Sequence, residues 1–322
     1  MTDSLSDKQL TIDFPMPENH SSLGVHIRLL LTMLFWGGTF VAGRLLAEEL
    51  HPLIASSLRF ILASGMLLTT ILVRDHSLPR LKWKQWWALT LLGLTGVFAY
   101  NIFYFTGLQT IEAGRASMIM AVNPVITAFL AMLFFAERGS ISKSVGMMVA
   151  VIGVLIVISK GAPAALFQGE SIGTGELCMI GCVLSWSAYT LIGKRLLTDI
   201  KPLVAVAYSC TLGALFLSAA ALFSGHLTEI RDLSAAGAGY ILYFALFGTT
   251  LGFLWFYDGV KILGAGRASM YINLVPVSGV VFGALLLGER PGSSLFIGGT
   301  LVFAGLYFIN RRPSRALLPK TS

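Results

Sequence analysis

Charge is scarce in this sequence. Asp, Glu, Lys and Arg make up 12% of its 322 residues, against about 25% in a soluble domain. Hydrophobic residues make up 55%, and mean hydropathy is +0.77. In water such a chain would expose too much apolar surface, and the same figures exclude disorder. Cysteine is scarce too: Cys178, Cys182 and Cys210 are the only three. All lie in apolar stretches, and a metal site needs more donors than stand near them. No G-x-x-x-x-G-K-[ST] occurs, which argues against ATP-driven transport by this chain alone. No H-E-x-x-H or G-x-S-x-G occurs, and His20, His26, His51, His76 and His226 are dispersed, which disfavours a membrane protease or esterase. No catalytic residue, cofactor or metal is called for. The net charge of +7 reads as basic membrane-flanking loops rather than a nucleic-acid surface.

What is present is a series of long apolar runs. Ten emerge, near residues 27–46, 52–73, 85–108, 113–136, 142–159, 173–195, 202–223, 236–260, 265–288 and 293–310. A helical span needs about 20 residues. These runs are long and lack the alternation of barrel strands, so the expected fold is an all-α membrane protein with ten transmembrane helices. Residues 1–25 carry Asp3, Asp7, Asp13 and Glu18 with Lys8 alone as a base. That is unlike a signal peptide and reads as a short cytoplasmic tail. With ten spans both ends share one side. Placing them in the cytoplasm puts seventeen Lys and Arg inside and five outside, the five being Arg44, Arg115, Lys160, Arg231 and Arg290. This bias predicts a multi-pass protein of the cytoplasmic membrane with both termini inside. Trp83, Trp86 and Trp87 read as an interfacial anchor in contact with membrane lipid.

The chain also repeats itself. Residues 113–118 and 265–270 both read Ala-Gly-Arg-Ala-Ser-Met, a spacing of 152. At that spacing Pro124 matches Pro276, Glu137-Arg138 matches Glu289-Arg290, Gly146 matches Gly298 and Gly153 matches Gly305. At spacing 150, Trp36 matches Trp186, Gly43 matches Gly193 and Pro52 matches Pro202. Each copy holds five helices, an odd number, so the second must enter the membrane from the opposite side. The expected organisation is a tail (1–25), a first repeat (26–160), an outer linker (161–172), a second repeat (173–310) and a basic tail (311–322). Two inverted five-helix repeats characterise secondary transporters with a midplane site.

With these residues in view, the chain resembles the drug/metabolite transporter superfamily, and within it the EamA-type transporters. The resemblance covers about residues 27–310. It rests on the paired repeats, Trp-Gly-Gly-Thr-Phe at 36–40, the Pro124…Glu137 and Pro276…Glu289 spacings, Arg59-Phe60 and Gly175-Glu176. It implies a carrier of small solutes. Export is implied by the resemblance alone, and an importer would use the same architecture. A non-transporting interaction protein is the reading of another class.

Candidate site residues follow from depth and chemistry. Pro124 and Pro276 interrupt the fourth and ninth helices and free the carbonyls of Met120 and Ile272; they line a cavity or set a static kink. Asn123 and Asn273 lie at the same depth and need partners. Arg59, about 10 Å along its helix from the outer end, must face protein or water. Glu176 lies at similar depth and is placed to pair with it; the two read as a gate, an anion contact or, for Glu176, a proton-responsive coupling carboxylate, against a fixed ion pair for Arg59 and favourable placement at a helix N-terminus for Glu176. Asp258 is a second proton-coupling candidate, or a surface partner of Lys261 at i+3. Glu112 and Arg115 read as capping the fourth helix, and Glu137 and Glu289 as turn-forming. Trp36, Tyr100, Tyr104, Trp186, Tyr189, Trp255 and Tyr271 line a pocket or simply pack, with Trp36 and Trp186 favoured as a midplane pair. An aromatic cavity with few fixed charges suits amphipathic solutes, amino acids foremost. The cavity is expected among helices 1, 3, 4, 6, 8 and 9. Gly38…Ala42, Gly248…Gly252 and Gly279…Gly283 allow close helix contacts.

Overall fold

The computed structural model describes residues 22–135, 140–162, 172–196 and 199–310. The two tails, most of the 161–172 linker, and Glu137 with Arg138 lie outside the described residues. The helices are α1 (Ser22–Glu49), α2 (Pro52–Asp75), α3 (Trp83–Leu108), α4 (Ala113–Phe135), α5 (Ile141–Ile158), α6 (Thr174–Leu196), α7 (Pro202–Phe223), α8 (Ala235–Leu263), α9 (Ala265–Leu287) and α10 (Ser293–Asn310). Among the described residues, α1 to α9 are long and apolar enough to cross a membrane, and α10 is a shorter apolar helix. The chain is an all-α, multi-span membrane protein whose helices form two pseudo-symmetric sets. Pro52 and Pro202 open α2 and α7, where a missing N–H costs nothing. Gly288 closes α9 at φ 67°, a left-handed conformation that suits glycine.

The sets interleave rather than stand apart. α1 packs on α8 and α9, and its repeat mate α6 packs on α3 and α4. The mates α2 and α7, α4 and α9, and α5 and α10 touch one another. The α5–α10 contact is the most extensive among the described residues and rests on glycines that the repeat had matched. A Cβ on Gly305 would lie 2.4 Å from the Gly146 carbonyl, and one on Gly298 would lie 2.5 Å from the Gly153 carbonyl. The pairing runs 146 with 305 and 153 with 298, so the two helices cross antiparallel. Small residues let the backbones meet in this way where no apolar driving force separates helix from lipid.

Four helices are irregular. α4 loses its helical form at Ala121 and Val122, just before Pro124, and α9 breaks at Asn273, three residues before Pro276. α3 and α8 contain π-helical turns at Gly93–Ala99 and Phe244–Leu251. Such turns leave carbonyls without their usual donors. Here side chains supply them: Trp36 Nε1 donates to Gly248 O (3.0 Å), Asn101 Nδ2 to Val97 O (2.7 Å) and Thr250 Oγ1 to Ala245 O (2.8 Å). Composition and spacing give no sign of the π-turns, because an extra residue in a helix leaves the apolar pattern almost intact.

Candidate functional site

One end of the bundle is tied by polar side chains at helix termini. Arg44 of α1 donates to the Leu108 and Ile111 carbonyls at 2.7 and 2.9 Å, closing the C-terminus of α3. Glu289, just past α9, accepts from the Ala113 and Gly114 N–H groups at 2.6 and 2.8 Å. It therefore caps α4 from the other repeat, and a carboxylate there also faces the positive end of the helix dipole. Gly283 makes room for it, since a Cβ at that position would lie 2.3 Å from Glu289 Oε2. Ser117 of α4 donates to Pro276 O (3.2 Å) and abuts Gly279. Glu49 accepts from Ser234 at the start of α8.

Three of the expected polar pairings are corrected here. Glu176 does not pair with Arg59. It accepts from Arg115 (3.1 Å) and from the Gly173 N–H (3.1 Å), with both side chains of the ion pair almost buried. The reason is packing: α6 lies on α3 and α4, while α2 lies on α7, α3 and α8. Placement of Glu176 in the first turn of α6 does hold. Glu112 makes no side-chain cap on α4; the acid that caps it comes from the far end of the sequence. Asp258 faces Arg28 (4.0 Å), half-exposed, rather than Lys261, because α8 packs along α1.

The two Ala-Gly-Arg-Ala-Ser-Met copies stand in opposite environments. In α4, Ala113, Gly114, Ala116, Ser117 and Met118 are buried. In α9, Ala265, Gly266, Arg267, Ser269 and Met270 are exposed, Ala268 alone is buried, and no side-chain cap is present among the described residues. Pro276 is buried against α4 and α1, whereas Pro124 is exposed. Asn123 is buried, and its Oδ1 accepts from Thr127 (3.1 Å) and Ser187 (3.3 Å); Asn273 is half-buried.

The aromatic candidates separate into two groups. Tyr104, Tyr100, Trp186 and Tyr189 form one continuous row of ring contacts with successive centroids 5.7, 5.5 and 5.1 Å apart, the two outer pairs stacked and the Tyr100–Trp186 pair inclined at 55°. It joins α3 of one set to α6 of the other, and Tyr189 lies on Gly96 of the α3 π-turn. Trp36 is not paired with Trp186. It packs on Phe253 and Phe256 of α8 and is held by the Gly248 carbonyl. Trp255 packs on Phe35, and Tyr271 hydrogen-bonds His26.

Arg59 lies between the sets. It is 8% exposed. Nη1 donates to Asn101 Oδ1 (3.1 Å), and Nη2 reaches Thr249 Oγ1 at 3.5 Å. Its guanidinium carbon sits over the rings of Phe244 (4.2 Å) and Phe60 (4.6 Å). Phe244 in turn packs on Tyr104, so the cation borders the aromatic stack. Asn101, Thr249 and Phe244, which complete this surround, were not singled out in the sequence; a polar residue beside a hidden π-turn carries no periodic signal.

Interleaved pseudo-symmetric helix sets, broken midplane helices and a buried polar and aromatic centre define a membrane transporter. The sequence pattern of the EamA-like transporter family matches residues 24–159 and again 173–311, and the chain belongs to that family. It is 28% identical to the uncharacterised transporter YyaM of Bacillus subtilis, over 88% of this chain and 92% of that one. It is 30% identical to an uncharacterised transporter of Archaeoglobus fulgidus, covering 89% and 98%. It is 27% identical to a probable terminal-alkyne amino-acid exporter of Streptantibioticus cattleyicolor, covering 88% and 92%. A solved crystal structure shares the fold with a TM-score of 0.61 at 17% identity, covering 89% and 96%. The family is one of transporters, not of enzymes.

Proposed function

We propose that the chain is a secondary active carrier that exports small polar or amphipathic metabolites, amino acids foremost, across the cytoplasmic membrane by alternating access. The contrast between the two Ala-Gly-Arg-Ala-Ser-Met copies carries this reading. In a pair of inverted repeats, residues 26–160 and 173–310, the two hexapeptides open α4 and α9 at opposite membrane faces. One is capped and buried while the other is exposed, an asymmetry that supports a state with one face shut and the other open. Exchange of the two environments is the carrier step.

The antiparallel crossing of α5 and α10 supports inversion. The excess of Lys and Arg on the side of both termini supports cytoplasmic ends, and then the Glu289 cap lies at the outer face and this state faces inward. A stack of Tyr104, Tyr100, Trp186 and Tyr189 beside a single cation suits amphipathic solutes. The similarity to a probable amino-acid exporter supports both the solute class and the direction. Glu176 is sealed by Arg115, which leaves half-exposed Asp258 as the better-placed proton-coupling group.

Counterflow in proteoliposomes tests this. Amino acids, amines, nucleosides and sugars are offered with and without an imposed pH gradient. Saturable exchange of amino acids is expected. Absence of exchange for every solute, from monodisperse protein, would overturn the carrier reading. Uptake driven only in the inward direction in oriented vesicles would replace export by import.

A further inference from the structure

We propose that Arg59 is the receptor for a carboxylate on the solute, so that the carrier selects acids and zwitterions over amines and neutral amides. This deepens the carrier reading above and rests on it. The argument begins with a missing counter-ion. Arg59 is buried, yet no acidic side chain pairs with it among the described residues. Glu176 is taken by Arg115, Asp258 faces Arg28, Glu48 faces Arg44 and Asp75 faces Lys201. The ionisable groups close enough to interact with Arg59 are Tyr104, Tyr100 and Cys210, all neutral at physiological pH. A buried cation normally has an anion, and one in a membrane core marks a substrate or ion path.

The geometry of the unused donors names the anion. A guanidinium offers five N–H donors in one plane. Here rings of Phe244 and Phe60 lie against it. Nη1 is used by Asn101. Nε has no partner, and Nη2 has only the 3.5 Å approach of Thr249, at the limit of a hydrogen bond. Nε and Nη2 form one edge of the fork, the edge that receives both oxygens of a carboxylate. Asn101 follows the π-turn of α3 and Thr249 lies within that of α8, so the vacant edge stands where the two sets meet. A solute anion bound there touches both repeats, and the adjoining Tyr104–Tyr100–Trp186 stack receives its apolar or ammonium-bearing remainder. Nε is shielded from solvent in this state, so access for the solute requires the carrier step to part Arg59 from the α8 π-turn.

Acid–amide pairs decide the matter: leucine against leucinamide and methionine against methioninamide, in counterflow and in quenching of tryptophan fluorescence. The wild type is expected to favour the acids by about tenfold or more, and Arg59→Gln to raise KM for the acids by a similar factor while removing the discrimination. Arg59→Lys keeps the charge but loses the fork, with an intermediate rise. Asn101→Asp gives Arg59 an internal anion, so acid exchange is lost although the buried charge is paired and the protein stays folded. That result is one a merely structural Arg59 would not produce. Equal handling of acids and amides by the wild type, or an unchanged acid–amide ratio in Arg59→Lys and Asn101→Asp, overturns the proposal. Exchange confined to other solutes overturns it while leaving the carrier reading intact; no exchange of any solute removes both.

Discussion

Replacing Glu289 by Gln should loosen the end of the bundle that it caps, the outer end in the orientation proposed above. The carboxylate makes two backbone hydrogen bonds, 2.6 and 2.8 Å long, to the first N–H groups of α4. Loss of an N-cap contact costs about 1 kcal/mol. Loss of a partly buried negative charge at a helix N-terminus costs about 1–2 kcal/mol more. Glutamine keeps one acceptor, so a total of about 2–3 kcal/mol is an upper figure, equivalent to about a 30- to 160-fold shift between closed and open populations. Ala113 is fully buried beneath the cap. In an Ala113→Cys background, labelling by a membrane-impermeant maleimide from outside should therefore accelerate by up to that factor, while the three native cysteines are buried and give little background. Gly283→Ala supplies an independent route. Its Cβ would sit 2.3 Å from Glu289 Oε2, displace the carboxylate and accelerate labelling in the same direction. Labelling rates and Tm that stay at the parent values in both variants would refute the idea that this cap holds the outer end shut.

Other perturbations test the packing and the charges. Gly305→Ala places a Cβ 2.4 Å from the Gly146 carbonyl, an overpacking that costs about 1–3 kcal/mol; Tm in nanodiscs should fall, whereas Gly65→Ala, which meets nothing within 4 Å, should leave it unchanged. Glu176→Gln strands the nearly buried Arg115 and should cost about 3–5 kcal/mol, with Arg115→Gln restoring much of the loss; the pH profile of flux in that double variant should match the wild type, and a flattened profile would make Glu176 the coupling group. At the loop joining α7 to α8, burial, with the stacked His226 ring adding to it, lowers the His51 pKa from 6.5 against an opposing pull from Glu229. Burial pushes the Glu229 carboxyl up, but hydrogen bonds from His51 N–H and the His226 ring outweigh it and hold it below 4.5. Both shifts are depressions, so each contribution is present above the unfolded value and lost on acidification, His51 below pH 6.5 and Glu229 below pH 4.5. His51→Gln should flatten the upper part of the Tm–pH curve and Glu229→Gln the lower part; unchanged slopes would contradict the cluster.

Legibility in the sequence followed the range of the interaction. Helix existence was legible because a span must satisfy its own backbone and so carries its whole signal locally. Pro202–Phe223 matches the expected run at both ends, while α1 begins at Ser22 and ends at Glu49, beyond the expected 27–46, because polar residues extend a helix past the apolar core. Tyr100 and Tyr104 were legible as sharing one face of α3, and the structure brings them together with Trp186 and Tyr189. The partners of Glu176, Asp258 and Trp36 were not, since an ion pair or an indole hydrogen bond across two helices depends on which faces meet.

Composition, span length and the 152-residue repeat determine by themselves that this chain is a multi-span membrane protein whose two halves follow one plan, because each of these is a sum over local sequence. Tertiary structure alone decided what each copy of the plan does. The same six residues, Ala-Gly-Arg-Ala-Ser-Met, begin a buried helix capped by Glu289 at one position and an exposed one at the other. Identical local chemistry cannot distinguish those outcomes. They differ through neighbours that arrive from the other repeat, and part of the surround of Arg59 arrives in the same way, with Thr249 and Phe244 of α8 joining Asn101 of α3.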